Sequence, residues 1–228
     1  RHGDGLHQQE AFQTLSAAIL SGREVATALR AEVADRVAAL AGEGTSVGLA
    51  TVLVGEDAGS QIYVRSKHRA AEAAGMLSFD HHLPVDTSQE QIERLIGSLN
   101  RDRDVSGMIV QLPLPGGLDG NRAVAAIDPS KDADGLHPYN LGLLALERAA
   151  LRPATPSGIM HILRHYGVET EGKLALIIGR SFLVGKPLAL MLGAKGVDAT
   201  VIQAHSRTRD LDRLIQNADI VVAAIGKP

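Results

Sequence analysis

The sequence has no cysteine and no tryptophan, and aromatic residues make up only 3% of its 228 residues. The lack of cysteine excludes disulfide bonds, thiolate metal ligands and a cysteine nucleophile. A chain built without disulfides is typical of a reducing compartment, so we expect a cytoplasmic location.

Long apolar runs and an excess of basic residues are also absent. No stretch approaches the ~20 apolar residues that span a bilayer, and residues 1–9 lack the apolar core of a signal peptide. With a net charge of −3, non-specific binding to nucleic acid is not expected. His2 and His7 fit a solvated tail, and we predict no metal site. The chain does not begin with Met, so we expect a processed or trimmed N-terminus.

What the chain does have is 45% hydrophobic residues, arranged in alternating helical and strand patterns that predict an α/β fold. We predict helices over 23–40, 60–74, 88–99, 121–127 and 155–166, one from residue 188, and one before the last strand. We predict strands over 47–54, 77–83, 107–112, 174–178, 199–203 and 220–224. Ser88 and Gln91 form a capping-box signature. The first helix has an apolar stripe, formed by Val25, Leu29, Val33, Val37 and Leu40.

The last three strands and the two helices between them predict one βαβαβ mononucleotide half. The boundary between two domains is expected within residues 141–156, which gives domains 1–150 and 151–228. A chain that stopped at Pro228, directly after a strand, would leave a parallel sheet with an open flank. We therefore expect that the C-terminal part of the second domain is missing from this sequence.

A glycine turn, Gly179–Pro187, joins an apolar strand to a helix. Such a turn places backbone N–H groups at a helix N-terminus, where a phosphate can bind. The turn departs from the usual dinucleotide fingerprint, because Ser181 replaces the second glycine and Gly185 comes one residue late. Packing of the helix on the strand alone is the alternative explanation.

The residues after the next strand distinguish NADP from NAD. An NAD site has an acidic residue there, roughly 20 residues after the first glycine. This chain has residues 204–208 instead, which include His205, Ser206 and Arg207 but no carboxylate. Together with Arg180 they suit a ribose 2′-phosphate, so we predict NADP. The alternative is a polar loop in which Ser206 or Thr208 caps the next helix.

A second group of residues indicates acid-base chemistry. Tyr63 and Lys67 lie four residues apart on a predicted helix and so share one face. Gln111 ends a strand at a proline-bounded turn, where sites form in open α/β sheets. Asp134 lies in an acidic loop. Two of these have a simpler explanation. Lys67 could be a surface lysine whose stem packs on Tyr63, and Asp134 could be a solvated carboxylate.

Taken together, these segments resemble the bifunctional methylenetetrahydrofolate dehydrogenase/methenyltetrahydrofolate cyclohydrolase family. The resemblance runs in order from about residue 19 to the end of the chain. The matching segments are Tyr63–Lys67, Gly107–Pro115, Lys131–His137, Pro153–Gly158, Gly179–Pro187 and His205–Ser206.

The resemblance implies an N-terminal folate-binding catalytic domain, a Rossmann-like NADP-binding domain and a homodimer. The implied reaction oxidises 5,10-methylenetetrahydrofolate with NADP and hydrolyses the methenyl product to 10-formyltetrahydrofolate, a one-carbon donor of purine biosynthesis. Lys67 would transfer protons, Gln111 would position Lys67, and Tyr63 would pack on the folate. Asp134 would bind the pterin, and Pro113 would line the substrate pocket. The implied cofactor residues are Gly179, Arg180, Ser181, Gly185, Pro187, His205 and Ser206.

Some positions depart from the family pattern. Ala154 stands where many members have Cys, and the pair Gln203–Ala204 replaces another cysteine-containing stretch. Ser21 stands where many have Asp before the first long helix, which we interpret as a change of helix cap. Three alternatives stay open: a dehydrogenase-only or NAD-preferring relative, a truncated folate-binding module without catalysis, and a different two-domain NADP dehydrogenase. Cofactor titration and intact mass would separate the first two from a bifunctional enzyme.

Overall fold

The computed structural model describes residues 17–226. The histidines of the N-terminal tail and the last two residues of the chain lie outside this range. Within it, no helix is long and apolar enough to cross a membrane.

The first half of the chain builds a three-stranded parallel sheet with helices on both faces. Its elements are α1 (Gly22–Gly42), β1 (Gly48–Val54), α2 (Ala58–Ala73), β2 (Leu77–Leu83), α3 (Gln89–Arg101), β3 (Gly107–Val110), α4 (Gly120–Ala125) and a 3-10 turn (Pro129–Lys131). The strand order is β2-β1-β3, so β1 is central. Strands β1 and β3 therefore flank a point where the chain changes direction across the sheet, which is where ligands bind in open α/β sheets.

The two faces of this sheet differ in chemistry. One face packs apolar side chains of β1 and β3, such as Val52 and Met108, against Ile92 and Ile96 of α3. Helix α2 packs against β1 and β2. Thr51 of β1 is fully buried, and successive strand residues point to opposite faces, so Thr51 faces away from the core that holds Val52.

The second half builds a second parallel sheet. Its elements are α5 (Pro138–Ala145), α6 (Ala154–His165), β4 (Leu174–Ile178), α7 (Gly185–Leu192), β5 (Thr200–Ala204), α8 (Leu211–Asn217) and β6 (Ile220–Ala223). The α/β class with a Rossmann-like second unit is confirmed. The strand order β5-β4-β6 differs from a sequential mononucleotide half, because β4 is central. The sheet therefore already contains a direction change between β4 and β6.

The second core is apolar and includes residues from before position 150. Ala175 and Ile177 of β4 pack with Leu188 of α7, and Leu144 of α5 joins the same cluster. Helix α1 reaches this unit as well: the Tyr166 hydroxyl accepts a hydrogen bond from Ser21 N at 2.9 Å. Thus α1 and α5 both contact the second unit.

Several local predictions are confirmed. The Ser88–Gln91 capping box is formed in both directions, and Ser21 caps α1 by accepting a bond from Glu24 N. The strand bounds 77–83 and 174–178 are also those predicted. The predicted α1 stripe is buried at Val25 and Val37, half-buried at Leu29 and Val33, and 39% exposed at Leu40.

Other local predictions are wrong. The strand predicted to reach residue 112 ends at Val110. Neither Ser206 nor Thr208 caps α8, whose N-cap position is Asp210.

Candidate active site

Lys67 is carried by α2, which begins after Asp57. The Asp57 carboxylate accepts a hydrogen bond from Ser60 N at 2.7 Å and so caps the helix. Val64 is buried against the sheet. Tyr63 and Lys67 lie one turn apart and both line a cavity, and Tyr63 is 66% exposed.

Gln111 directly follows β3 and presents its side-chain oxygen to Lys67. Its backbone N donates to Val52 O at 2.9 Å, which extends the β1–β3 ladder. Its Nε2 donates to Leu112 O at 3.0 Å, so its Oε1 is free to accept from Lys67 Nζ at 3.4 Å. The amide orientation is therefore fixed by the backbone of its own turn.

Asp134 is placed by a neighbouring carboxylate that is fully buried. Asp132 accepts hydrogen bonds from Leu136 N (3.1 Å), His137 N (2.8 Å) and Asn140 Nδ2 (2.8 Å). Backbone donors of this kind satisfy a buried carboxylate. They fold the loop tightly around residues 132–137.

The same loop is joined to the start of α6. Ala154 N donates to Asp134 O at 3.2 Å. Gly135 has φ +68°, and a Cβ there would lie 2.3 Å from the Arg152 carbonyl carbon. Only glycine allows both that conformation and that approach. Asp134 is thus held between the two halves of the molecule.

Lys67 and Asp134 carry opposite charges and form a partly buried ion pair. Lys67 Nζ lies 3.8 Å from Asp134 Oδ2, and the two side chains are 31% and 26% exposed. Burial raises the pKa of the Asp134 carboxyl, and the nearby Asp132 raises it further, while the Lys67 ammonium lowers it. The net direction is upward, so Asp134 keeps its proton to a higher pH than an ordinary aspartate.

These side chains share one cavity of about 420 Å³ between the two sheets. Its lining residues are Tyr63, Lys67, Val110, Gln111, Leu112, Asp134, Leu136, Ala154, Thr155, Leu183 and Val184. The structure therefore brings together four residues that the sequence singled out: Tyr63, Lys67, Gln111 and Asp134.

Pro113 lies next to this cavity, in a separate one of about 310 Å³ that also includes Phe182. The two cavities have Leu112 and Leu183 in common. Pro113 is therefore beside the Lys67 cavity, and its neighbour Leu112 lines both.

The glycine turn after β4 brings two backbone segments into direct contact. A Cβ at Gly179, where φ is +136°, would lie 2.3 Å from Ala224 O. A Cβ at Gly185 would lie 2.3 Å from Gly179 O. These glycines let α7 begin against the strand end, which is the close packing that a dinucleotide turn requires. Pro187 is buried within α7.

The N-terminus of α7 has no side-chain cap. Its N-cap residue, Val184, makes no capping hydrogen bond. Ser181 Oγ accepts from Val184 N at 3.2 Å and so shapes the turn. An uncapped N-terminus beside a glycine turn suits an anionic group such as a phosphate.

The end of β5 lies beside this turn, because Gly179 N donates to Ala204 O at 2.9 Å. His205 N donates to Thr208 Oγ1 at 2.8 Å, and Arg207 N donates to His205 Nδ1 at 3.2 Å. Ser206 and Arg180 are exposed. Within residues 17–226, Arg180 forms no ion pair, so its guanidinium is available to an anion.

A cavity of about 450 Å³ lies at the carboxyl ends of β4 and β6. It is lined by Thr155, Ile159, Ser181, Leu183, Val184, Val222, Ala223, Ala224, Ile225 and Gly226. Thr155, Leu183 and Val184 also line the Lys67 cavity. The two cavities therefore adjoin.

Sequence reasoning missed the apolar residues that join the two cavities. Leu183 and Val184 lie between Ser181 and Gly185, and the signal for them is the run of three apolar residues, Phe182, Leu183 and Val184, inside the glycine turn. Of the predicted cofactor residues, Ser181 lines the β6 cavity. Gly179 and Gly185 shape the turn beside it.

Two parallel α/β units that place a lysine–carboxylate cavity beside a nucleotide turn define a two-domain, nucleotide-dependent dehydrogenase. Comparison with known proteins makes this specific. Residues 20–134 match the catalytic domain of tetrahydrofolate dehydrogenase/cyclohydrolase, and residues 153–228 match its NAD(P)-binding domain. The chain belongs to the tetrahydrofolate dehydrogenase/cyclohydrolase family.

Individual relatives agree with this assignment. The bifunctional protein FolD of Rhodopseudomonas palustris is 49% identical over 215 residues, which cover 94% of this chain and 72% of that protein. The crystal structure of the Trypanosoma brucei methylenetetrahydrofolate dehydrogenase-cyclohydrolase, complexed with NADP cofactor and an inhibitor, is 39% identical. It aligns with a TM-score of 0.88 over 93% of this chain and 73% of its own. The Campylobacter jejuni enzyme gives the same TM-score at 38% identity, over 92% and 74% of the two chains.

Proposed function

We propose that Lys67, Gln111, Tyr63 and Asp134 form the folate site of this enzyme. The enzyme oxidises 5,10-methylenetetrahydrofolate to 5,10-methenyltetrahydrofolate with NADP, and hydrolyses the methenyl product to 10-formyltetrahydrofolate. The observation that carries the site proposal is the convergence of Lys67 Nζ, Gln111 Oε1 and Asp134 Oδ2 in the cavity that adjoins the β6 cavity.

NADP, when bound, supplies the acceptor for the hydride that leaves the one-carbon bridge. The residues proposed to hold it are Gly179, Arg180, Ser181, Gly185, Pro187, His205 and Ser206. The close backbone approach at the two glycines and the uncapped start of α7 support this assignment. The absence of a carboxylate in residues 204–208 supports NADP over NAD.

The hydrolytic step adds one water to the methenyl carbon. The water oxygen bonds to that carbon, the bond from the carbon to N5 breaks, N5 gains a proton, and one proton is released overall. Lys67 is placed to move these protons, because its Nζ lines the cavity and is held by Gln111 Oε1. Proton transfer by a positioned side chain contributes typically ~10²–10⁴-fold.

Asp134 and Tyr63 are proposed to bind the folate. The Asp134 carboxylate can accept hydrogen bonds from the pterin amide and amino groups, a donor pair that suits a carboxylate. Tyr63 presents an exposed ring at the mouth of the cavity, where it can pack on a flat ligand. Pro113 lines the adjoining cavity, and we propose that it borders the substrate there.

An assay at two wavelengths tests the proposal. The enzyme receives 5,10-methylenetetrahydrofolate with NADP, while reduced cofactor and methenyl product are followed separately. Reduction of NADP without build-up of methenyl product is expected. In the Lys67→Met variant, methenyl product should accumulate. Continued hydrolysis in that variant would contradict the role proposed for Lys67.

We further propose that residues 1–150 act as the folate-binding domain and residues 151–228 as the cofactor domain, although α5 packs on the second core. A homodimer formed through the cofactor domain is part of the proposal, and the partly exposed Leu190 and Val221 on that domain support it. Sedimentation velocity would detect a particle of twice the chain mass.

A cytoplasmic role in supplying one-carbon units for purine biosynthesis completes the proposal. The cysteine-free composition supports the compartment, and the 10-formyl product supports the role. Cell fractionation and the rescue of a purine-requiring strain that lacks this activity would test the two parts separately.

A further inference from the structure

Helix α2 is anchored to the sheet by the residue that follows Lys67. His68 Nε2 lies 2.7 Å from Thr51 Oγ1 of β1 and 3.4 Å from Asp80 Oδ1 of β2. The other ring nitrogen, Nδ1, contacts Ser78 Oγ. Thr51 Oγ1 in turn donates to Asp80 Oδ1 at 3.4 Å. Four side chains from three elements therefore form one hydrogen-bonded network.

The strand register explains why these side chains meet. Thr51 and Asp80 are partners in the parallel β1–β2 ladder, and Ser78 precedes Asp80 by two residues. All three therefore point to the face of the sheet that α2 covers. His68 is the helix residue that reaches them.

The centre of the network is shielded from solvent, and only its Asp80 end, 53% exposed, reaches the surface. The Thr51 side chain is fully buried, and the His68 side chain is only 13% exposed. A consistent set of bonds runs from the Ser78 hydroxyl to His68 Nδ1, from His68 Nε2–H to Thr51, and from the Thr51 hydroxyl to Asp80. Because a buried hydroxyl is costly without partners, this network fixes where α2 lies on the sheet.

The position of α2 on the sheet decides whether Lys67 reaches its partners. Lys67 and His68 are consecutive, about 100° apart around the helix, so any shift of His68 moves Lys67 with it. The Lys67 Nζ to Gln111 Oε1 distance is already 3.4 Å. A displacement of roughly 0.5 Å would take it beyond hydrogen-bonding range.

We propose that His68 and Thr51 are positioning residues that hold Lys67 in its hydrolytic geometry. The inference rests on the role proposed above for Lys67. Hydrolysis then depends on the network, whereas hydride transfer, which needs no proton from Lys67, does not. Loss of the network lowers kcat for hydrolysis and changes the ratio of the two activities.

The sharpest test is a pair of substitutions at Thr51. Thr51→Val keeps the shape and removes the hydroxyl, and Thr51→Ser keeps the hydroxyl. Thr51→Val should lower kcat for hydrolysis about 10- to 100-fold, because a misplacement near 1 Å costs about that much. KM for the folate and the rate of NADP reduction should stay within about twofold of wild type. Thr51→Ser should retain hydrolysis.

Variants at His68 give a second measurement if Thr51→Val does not fold. His68→Leu should reproduce the selective loss, and His68→Gln, which can still donate to Thr51, should restore part of the activity. His81→Leu is the matched control, because His81 is paired with Val52 in the ladder and so lies on the other face of β2. It should leave both activities unchanged.

The outcomes distinguish a failure of this inference from a failure of the role proposed for Lys67, on which it rests. Hydrolysis that survives Lys67→Met would overturn the role of Lys67 and the inference with it. Hydrolysis lost in Lys67→Met but normal in Thr51→Val and His68→Leu would overturn the inference alone. An equal loss of both activities in these variants, together with a lower melting temperature, would show a merely structural role and would also overturn it.

Discussion

Lys67 Nζ lies 3.8 Å from Asp134 Oδ2, across the cavity that separates the two sheets. Lys67 is proposed to move protons in hydrolysis, and Asp134 is proposed to hold the pterin. Burial raises the pKa of Asp134 and Lys67 lowers it, and burial has the larger effect. Because the two residues are proposed to have different roles, replacing Lys67 should change the rate of hydrolysis, and replacing Asp134 should change folate binding.

Removing the ammonium should abolish one activity and spare the other. We expect Lys67→Met to lose hydrolysis by about 10²- to 10⁴-fold, the usual contribution of a positioned proton-transfer group. NADP reduction should continue, because the methionine keeps most of the side-chain volume. Methenyl product should accumulate at its own absorbance.

A cation on the same helix provides the control for that variant. Arg69 is exposed and lies two residues further along α2, away from the cavity lining. Arg69→Met should leave both activities unchanged. A similar loss of hydrolysis in both variants would mean that the net charge of the helix, and not the position of Lys67, governs the step.

Replacement of the Asp134 carboxylate should weaken folate binding and remove its pH dependence. A charge-assisted hydrogen bond is worth about 1.5–3 kcal/mol, so Asp134→Asn should raise KM for the folate about 10- to 100-fold. In the wild type, KM should rise as acid protonates Asp134, in a range shifted above its ordinary pKa of 3.8. A wild-type KM that is flat across this range would contradict the assignment.

The same carboxyl should leave a signature in stability. Because the pKa of Asp134 is higher in the folded than in the unfolded chain, the folded state binds more protons between 3.8 and the raised value. The contribution of Asp134 to the free energy of unfolding therefore falls as pH rises through that interval. Urea unfolding of wild type and Asp134→Asn at several pH values should show this. The free energy of unfolding of wild type minus that of the variant should fall as pH rises through the interval and then become constant.

Local signals explain which parts of the fold could be predicted from the sequence. The Ser88–Gln91 capping box, the strand pattern at 77–83 and the apolar run at 174–178 are short-range patterns, and they appear in the structure as predicted. Helix α5 was not predicted. It begins at Pro138 after a histidine N-cap, a weak start signal. Strand order depends on long-range packing, which no local pattern records.

The candidate site also contains residues that the sequence could identify and residues that only the folded chain reveals. Lys67, Gln111 and Asp134 could be singled out by their element ends and by family resemblance, and the structure brings them together. The Thr51–His68 network could not, because a buried threonine in a strand looks like any β-branched residue. Only the ladder register and the path of α2 place its partners beside it.

The contact between Gly185 and Gly179 should make Gly185→Ala costly. Its Cβ would lie 2.3 Å from Gly179 O and 2.7 Å from the carbonyl carbon, and backbone cannot move aside as a side chain can. We expect a loss of about 1–3 kcal/mol in stability and a higher KM for NADP. Gly142→Ala is the control, since a Cβ in that exposed part of α5 meets nothing within 4 Å. It should be neutral or slightly stabilising, and an equal effect in both would refute the packing argument.

Arg180 should discriminate NADP from NAD through the 2′-phosphate. The guanidinium is exposed, follows Gly179 directly and forms no ion pair within residues 17–226. Arg180→Ala should raise KM for NADP at least about tenfold, because a hydrogen bond to a charged group contributes ~1.5–3 kcal/mol.

Activity with NAD should change little in Arg180→Ala, because NAD has no group for Arg180 to bind. Arg213→Ala on α8 is the matched control and should change neither KM. Equal losses with both cofactors would place Arg180 at the shared pyrophosphate. In that case the preference for NADP would have to come from His205, Ser206 and Arg207, and Ser206→Asp, which adds a carboxylate beside the 2′ position, would then be the substitution that reverses it.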